Sequence, residues 1–171
     1  MKNELLTADD VINMLGLIAH PKEGGFYRET YRSSESIPRK GLPIRYVQEK
    51  PFSTCIYYLL TPETCSRIHR LHSDEIFHFY CGDPVTMLQL HSQGEGEIIT
   101  LGNDLTKGEI PQVLVPKGVW QGAFLNPEGS FALLGTTVAP GFDFEDYEEG
   151  ERHKIVDLYP DFEELITRLT P

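Results

Sequence analysis

Between residues 52 and 138 the chain is cut into short apolar or alternating runs by turn-forming residues, with no helical period between them. The runs cover residues 54–60, 66–71, 76–81, 86–91, 97–101, 112–115, 120–125 and 131–138. The breaks fall at Pro62, Gly82-Asp83-Pro84, Gly94, Gly102-Asn103, Pro116-Lys117-Gly118 and Pro127-Glu128-Gly129. Strands this closely spaced, without helices to carry crossovers, predict an all-β antiparallel sandwich or barrel.

Both ends carry a helical signal instead. Thr7 is placed to cap a helix, Asp10 completes a capping box, and Leu6 with Val11 matches a hydrophobic staple. Val11, Met14, Leu15 and Ile18 follow at helical spacing, and Gly16 marks the stop. Gly24-Gly25 then leads into F-Y-R-E-T-Y-R, which reads as a strand. Residues 33–50, with Pro38, Gly41 and Pro43, read as an irregular loop. A last helix is expected after Pro160, with Phe162, Leu165, Ile166 and Leu169 on one face. Residues 1–171 show no linker and no repeat, so one domain is expected.

Charge narrows the function. A net charge of −11 with no clustered Lys or Arg argues against nucleic acid. Apolar runs such as 55–60 and 131–134 are far too short to span a bilayer, and M-K-N-E-L-L has no signal-peptide pattern, so a cytoplasmic protein without membrane contact is expected. The acidic run D-F-E-D-Y-E-E-G-E, residues 143–151, reads as a solvated surface segment. Cys55, Cys65 and Cys81 lack CxxC spacing and are expected as reduced, buried, small apolar residues. No glycine-flanked Ser or Cys elbow supports covalent catalysis.

The chemistry concentrates in S-R-I-H-R-L-H-S-D-E-I-F-H-F-Y-C-G, residues 66–82, with His69, His72, His78, Asp74 and Glu75. Imidazole and carboxylate at this density suit a metal site or an acid/base site. Read as a hairpin, the segment lets His69 and Glu75 converge, with Phe77 and Phe79 on the Glu75 face and His78 opposite. Strand parity keeps most of the remaining groups from one centre unless a bulge intervenes. His72 reads as exposed, His20 before Pro21 as local structure, and His78 as a satisfied histidine against a neighbouring sheet or subunit.

These residues carry a resemblance. Glu75 followed by Gly82, with His69 ahead of them, resembles the first cupin motif, and Pro116-Lys117-Gly118-Val119-Trp120-Gln121 resembles the second, P-x-G-x-x-H, with glutamine for histidine. The blocks H-P-K-E-G-G-F-Y-R-E-T-Y-R-S, H-R-L-H-S-D-E-I-F-H-F-Y-C-G-D-P, V-P-K-G-V-W-Q-G-A and T-V-A-P-G-F-D-F are similar to one cupin family of unknown function. That family is related in fold to seed-storage globulins and dTDP-sugar 3,5-epimerases. The resemblance implies a double-stranded β-helix, or jelly-roll barrel, and a homodimer; with the helical signals at both ends, the expected fold is that barrel with a short N-terminal and a short C-terminal helix.

It also implies two kinds of chemistry. Catalytic cupins commonly hold a metal on three His and one Glu, but here Leu71 and Gln121 stand at the second and third His positions. His69, Glu75 and Gln121 are the donors left, so no cofactor is expected, with a divalent metal as the alternative. The epimerases use a metal-free His base, which His69 matches, with Glu75 to orient it. Gly25-Phe26-Tyr27-Arg28-Glu29 resembles the epimerases' substrate segment, so Arg28 and Arg32 become candidates for an anionic ligand group.

The expected site is a barrel pocket with His69 and Glu75 as the acid/base pair. Gln121 and Arg28 are expected to bind ligand, with Phe77, Phe79 and Trp120 as walls. The expected function is binding, isomerising or epimerising a small polar molecule, of carbohydrate or sugar-nucleotide type, without metal. A sensor module without catalysis and a metal-dependent dioxygenase or isomerase are the alternatives. His69 and Glu75 as a purely structural buried pair remain open as well.

Overall fold

The computed structural model describes residues 6–170. Residues 1–5, which carry most of the N-terminal stretch read for a signal peptide, lie outside the described residues. Helix α1 (Ala8–Leu15) starts at the capping box the sequence predicts, the Asp10 carboxylate accepting from the Thr7 backbone N–H at 3.0 Å. It ends at Gly16, whose φ of 61° is open to glycine without a Cβ penalty. Val11, with Ala8, Ile12 and Leu15 beside it, packs against Leu17, Leu59 and Phe131. Met14, expected on that face, is 74% exposed. Positions 8, 11, 12 and 15 already complete the apolar stripe, and 14 stands off it. Ile18 belongs to the strand that follows.

The strands are β1 (Ile18–Ala19), β2 (Phe26–Arg32), β3 (Ser36–Ile37), β4 (Lys50–Pro51), β5 (Thr54–Leu60), β6 (Cys65–Arg70) and β7 (Asp74–Gly82). They continue as β8 (Val85–Leu90), β9 (Gly96–Leu101), β10 (Gln112–Val115), β11 (Trp120–Leu125), β12 (Ala132–Ala139) and β13 (Glu148–Glu149). One sheet has the order β1-β2-β5-β12-β7-β10 and the other β13-β6-β11-β8-β9, while β3 and β4 pair alone. Pairing between these strands is antiparallel throughout. This is the double-stranded β-helix that the turn spacing and the motif resemblance predict.

The two sheets face each other across a core that includes Tyr58, Phe77, Phe79, Met87, Ala123 and Leu134. Full burial of a Leu, Met or Phe side chain stabilises by roughly 1.5–3 kcal/mol each, so this layer dominates the favourable side of folding. The outer face of the five-stranded sheet is covered by α2 (Arg152–Leu158) and α3 (Glu163–Arg168). Ile68, Leu88, Trp120 and Phe124 pack there against Ile155, Tyr159, Ile166 and Leu169. The sequence predicts α3, but α2 lies hidden at the end of the acidic run.

Three further expectations change. Segment 66–82 is not a hairpin, because β6 lies in the five-stranded sheet and β7 in the six-stranded one. Leu71-His72-Ser73 carries the chain across the barrel mouth, so His69 and Glu75 approach from opposite sheets. The acidic run is not simply solvated either: Asp146 is 3% exposed, and Lys50, with no exposed surface at all, lies 2.7 Å from Asp146 and 3.1 Å from Asp143. The loop 33–50 is pinned to the same crossing. Tyr46 shares a hydrogen bond with Ser73 Oγ at 2.9 Å, and Arg45 Nε donates to the His72 carbonyl at 2.8 Å. Of the cysteines, Cys55 and Cys65 are half-buried, and Cys81 is exposed where a buried residue was expected.

Candidate functional site

The inner face of the six-stranded sheet is built in cross-strand rows. Arg32, Thr54, Val138 and Glu75 stand opposite one another on β2, β5, β12 and β7, forming the row nearest the mouth. The next row reads Glu29, Ile56, Thr136, Phe77. A register shift between Glu29 and Tyr31 inserts one residue in β2. Such a bulge lets Glu29 and Arg32, an odd number of residues apart, face the same side. Arg32 then grips Glu29 through Nε at 3.0 Å and Nη2 at 2.8 Å.

On the opposite sheet His69, Gln121 and Gln89 are aligned across β6, β11 and β8. A second bulge, between Gln121 and Ala123, brings Ser66 to the inner side with His69. His69 Nδ1 lies 2.7 Å from the Arg67 carbonyl, which makes Nδ1 the protonated nitrogen. Nε2 then accepts from Gln121 Nε2 at 2.8 Å, and the same amide reaches Glu75 Oε2 at 3.4 Å. Gln121 thus joins His69 to Glu75 across the sandwich, with its own Oε1 buried and unpartnered.

Glu23 completes the cluster, and sequence reasoning missed it. The turn His20-Pro21-Lys22-Glu23-Gly24-Gly25 folds on itself, His20 Nδ1 accepting the Glu23 amide at 2.8 Å. Gly24, at φ 93°, would place a Cβ 2.4 Å from the Cys65 carbonyl, so only glycine permits this approach. The turn docks through Arg67 N–H on the Glu23 carbonyl at 2.8 Å and Ser66 Oγ on Glu23 Oε1 at 2.6 Å. Glu23 Oε2 then lies 3.9 Å from His20 Nε2 and 4.0 Å from His69 Nε2. The available signal was the Gly24-Gly25 pair, which announces a tight approach just after a carboxylate.

A cavity of about 300 Å³ opens beside these groups, with Glu23, Glu29, Arg32, Glu75, Asp143 and Tyr147 in its wall. Tyr27, Phe142 and Phe144 add aromatic surface. Tyr147 stacks on His69 at 4.9 Å between ring centroids and screens it from the cavity. Burial, and then the charge of Glu23, push the Glu75 carboxyl up to about 8, against a hydrogen bond with Thr136 that pulls it down. Glu75 therefore keeps its proton at neutral pH. Burial holds His20 below its ordinary value, with Glu23 opposing and His69 assisting. Burial, then the charges of Glu23 and Glu149, raise the Tyr147 phenol.

The remaining candidates lie elsewhere. Phe77 and Phe79 sit in the core below the mouth. Trp120 points to the outer face, under α2 and α3, with Arg70 stacked 4.4 Å from its ring. Arg28 is on the outer side of β2, 5.8 Å from the Tyr57 ring. His78 is also on an outer face, bonded to Thr137 Oγ1 at 3.1 Å.

A cupin metal centre does not suit these donors. The lone pair of His69 Nε2 already accepts from Gln121, and Leu71 offers no donor. Among the described residues no group of three or more His, Cys, Asp or Glu side chains could hold a metal ion. No helix among them is long and apolar enough to cross a membrane.

A jelly-roll of two facing antiparallel sheets, with its polar residues gathered at one mouth, defines a cupin-fold protein. The chain belongs to the cupin-superfamily family DUF985 (Cupin_5), whose model matches residues 9–149. It is 35% identical over 147 residues to the uncharacterised Saccharomyces cerevisiae protein YML079W, covering 80% of this chain and 72% of that one. Among solved structures it is similar to protein SO0799 from Shewanella oneidensis, with TM-score 0.86 and 36% identity over 98% of this chain and 99% of the other. A hypothetical protein from Leishmania major matches with TM-score 0.85 and 30% identity over 96% and 99% of the two chains. Oxalate decarboxylase from Bacillus subtilis shares the fold alone, with TM-score 0.54 and 16% identity over 96% of this chain and 38% of that one.

Proposed function

We propose that the barrel-mouth cavity binds a small polyhydroxylated molecule of carbohydrate class and moves a proton on it without metal. The supporting observation is the pair of carboxylates in one cavity wall, Glu23 and Glu75, with Glu75 pushed up to about 8. A carboxyl pushed up beside a second carboxyl in one wall is a usual arrangement for acid/base chemistry. Aromatic side chains suit the apolar faces of a sugar ring, and carboxylates accept from its hydroxyls.

In this reading Glu23 takes the proton from a carbon beside a carbonyl. The C–H electron pair becomes the C=C bond of an enediol, and the carbonyl oxygen takes the proton of Glu75. The return runs one carbon over: Glu75 recovers a proton from the second hydroxyl while Glu23 delivers its own to the former carbonyl carbon. His69 and Gln121 are positioning residues that hold Glu75, since Tyr147 screens His69 from the cavity. A sugar nucleotide is disfavoured, because the wall carries Glu23, Glu29, Glu75 and Asp143 against a single arginine that is already paired.

The test is solvent deuterium exchange into a panel of aldoses and ketoses in D₂O. Wild-type protein is expected to exchange label at the carbon beside the carbonyl of at least one sugar. Glu75→Gln should lower that rate by about a hundredfold, the ordinary scale of general acid catalysis. Saturable sugar binding without exchange would favour a ligand-binding module, a reading that the occupied lone pair of His69 also supports. A protein that neither binds nor exchanges any of these sugars would overturn the proposal.

A further inference from the structure

Glu23 is a carboxylate without a cation. Its side chain is only 12% exposed, and among the described residues the basic groups within 4.0 Å are two imidazoles, His20 and His69. Neither neutralises it as arranged. His20 Nδ1 accepts from a backbone amide, and His69 Nε2 accepts from Gln121, so both show the hydrogen bonding of neutral rings. Arg32 is taken by Glu29 and Asp143, and Lys50 by Asp143 and Asp146, so neither is available to Glu23. Ser66 Oγ satisfies Glu23 Oε1 at 2.6 Å, which leaves Oε2 as the half-enclosed atom that a positive group can meet.

The opposite wall points to the same kind of visitor. Phe144 and Tyr147 both line the cavity. The Lys22 ammonium lies 5.5 Å from the Phe144 centroid and 5.6 Å from the Tyr147 centroid, so these rings already hold a cation at their faces.

We infer that the ligand of this cavity carries an ammonium group, as an amino sugar or amino polyol does, and that Glu23 is its ion-pair partner. The inference rests on the carbohydrate-binding part of the reading above and sharpens it from a neutral sugar to a cationic one; a Glu23 paired with an ammonium is a binding group, so a cationic ligand favours the ligand-binding module over proton transfer by Glu23. Glu23 binds the ammonium, the aromatic rings cover its flank, and Glu29 and Asp143 set the negative field that repels acidic sugars.

Calorimetric titration of the full chain with glucosamine, glucose and glucuronate decides this, at about pH 6 where an amine with pKa near 8 is charged. Glucosamine is expected to bind at least about tenfold more tightly than glucose, with glucuronate weakest. Glu23→Gln should bring glucosamine and glucose to within about twofold of each other, the ratio and not either affinity alone being the readout. Should that variant fail to fold, raising the salt concentration on wild-type protein replaces it: glucosamine affinity must fall and glucose affinity hold. Equal affinity of the wild type for glucosamine and glucose overturns this inference and leaves the carbohydrate reading standing. Preference retained in Glu23→Gln, or unaffected by salt, overturns the role of Glu23. No binding of any of the three sugars overturns both readings.

Discussion

Glu75 holds a proton inside the barrel mouth, and the stability of the fold is tied to it. Its carboxyl moves from an ordinary 4.5 to about 8 on folding. Between those values the folded chain keeps a proton that the unfolded chain has released. The stabilising contribution is therefore complete below pH 4.5 and is lost as pH rises through about 8. The slope is at most about 1.4 kcal/mol per pH unit. Urea denaturation across that window should show stability falling more steeply with pH in wild-type protein than in Glu75→Gln, where the opposite contribution of His20 remains. An equal slope in both would contradict the assignment. At this scale the sequence carried part of the site. Motif spacing put His69, Glu75 and Gln121 within reach of one another, and an amide joins them in the fold. Glu23 left no periodic trace, because it sits in a turn whose position depends on a docking contact with β6 far along the chain.

Elements that close the mouth depend on charges the sequence presents as surface. Residues 142–147 lie over the cavity, and Lys50 ties Asp143 and Asp146 to β4 at the barrel rim. Burial works against the Lys50 ammonium, but the hydrogen bonds and charges of Asp146 and Asp143 outweigh it and raise its pKa. Lys50→Ala should destabilise the protein by about 3 kcal/mol, because it leaves buried carboxylate behind. Limited proteolysis should then cut near Phe144, where the wild type resists. Unchanged stability would mean that the strap is held by its aromatic side chains alone. The longer strands, β2 and β5 to β12, were legible because turn residues punctuate them, and their ends fall within two residues of expectation, whereas the two-residue strands β1, β3, β4 and β13 carry no pattern of their own. The sheet to which each strand belongs was not legible. A three-residue turn between β6 and β7 looks like a hairpin in sequence, and only the pairing partners show that it crosses between sheets.

For the molecule as a whole, the apolar rows of the two sheets fill the barrel and the polar rows gather at one end. The fold was readable from turn spacing and the two motifs, since both describe the same antiparallel winding. The chemistry was less readable, because two bulges and one glycine turn decide which residues face the cavity. The proposed chemistry depends on burial and the neighbouring Glu23 together raising the Glu75 carboxyl in the cavity wall. Carboxyl ¹³C NMR titration of labelled protein measures this directly, with Glu75→Gln assigning the resonance. The account predicts a Glu75 midpoint near 8 that drops in Glu23→Gln, because part of the shift comes from the Glu23 charge. A midpoint near the ordinary 4.5 in wild-type protein, or one unmoved by Glu23→Gln, would contradict it.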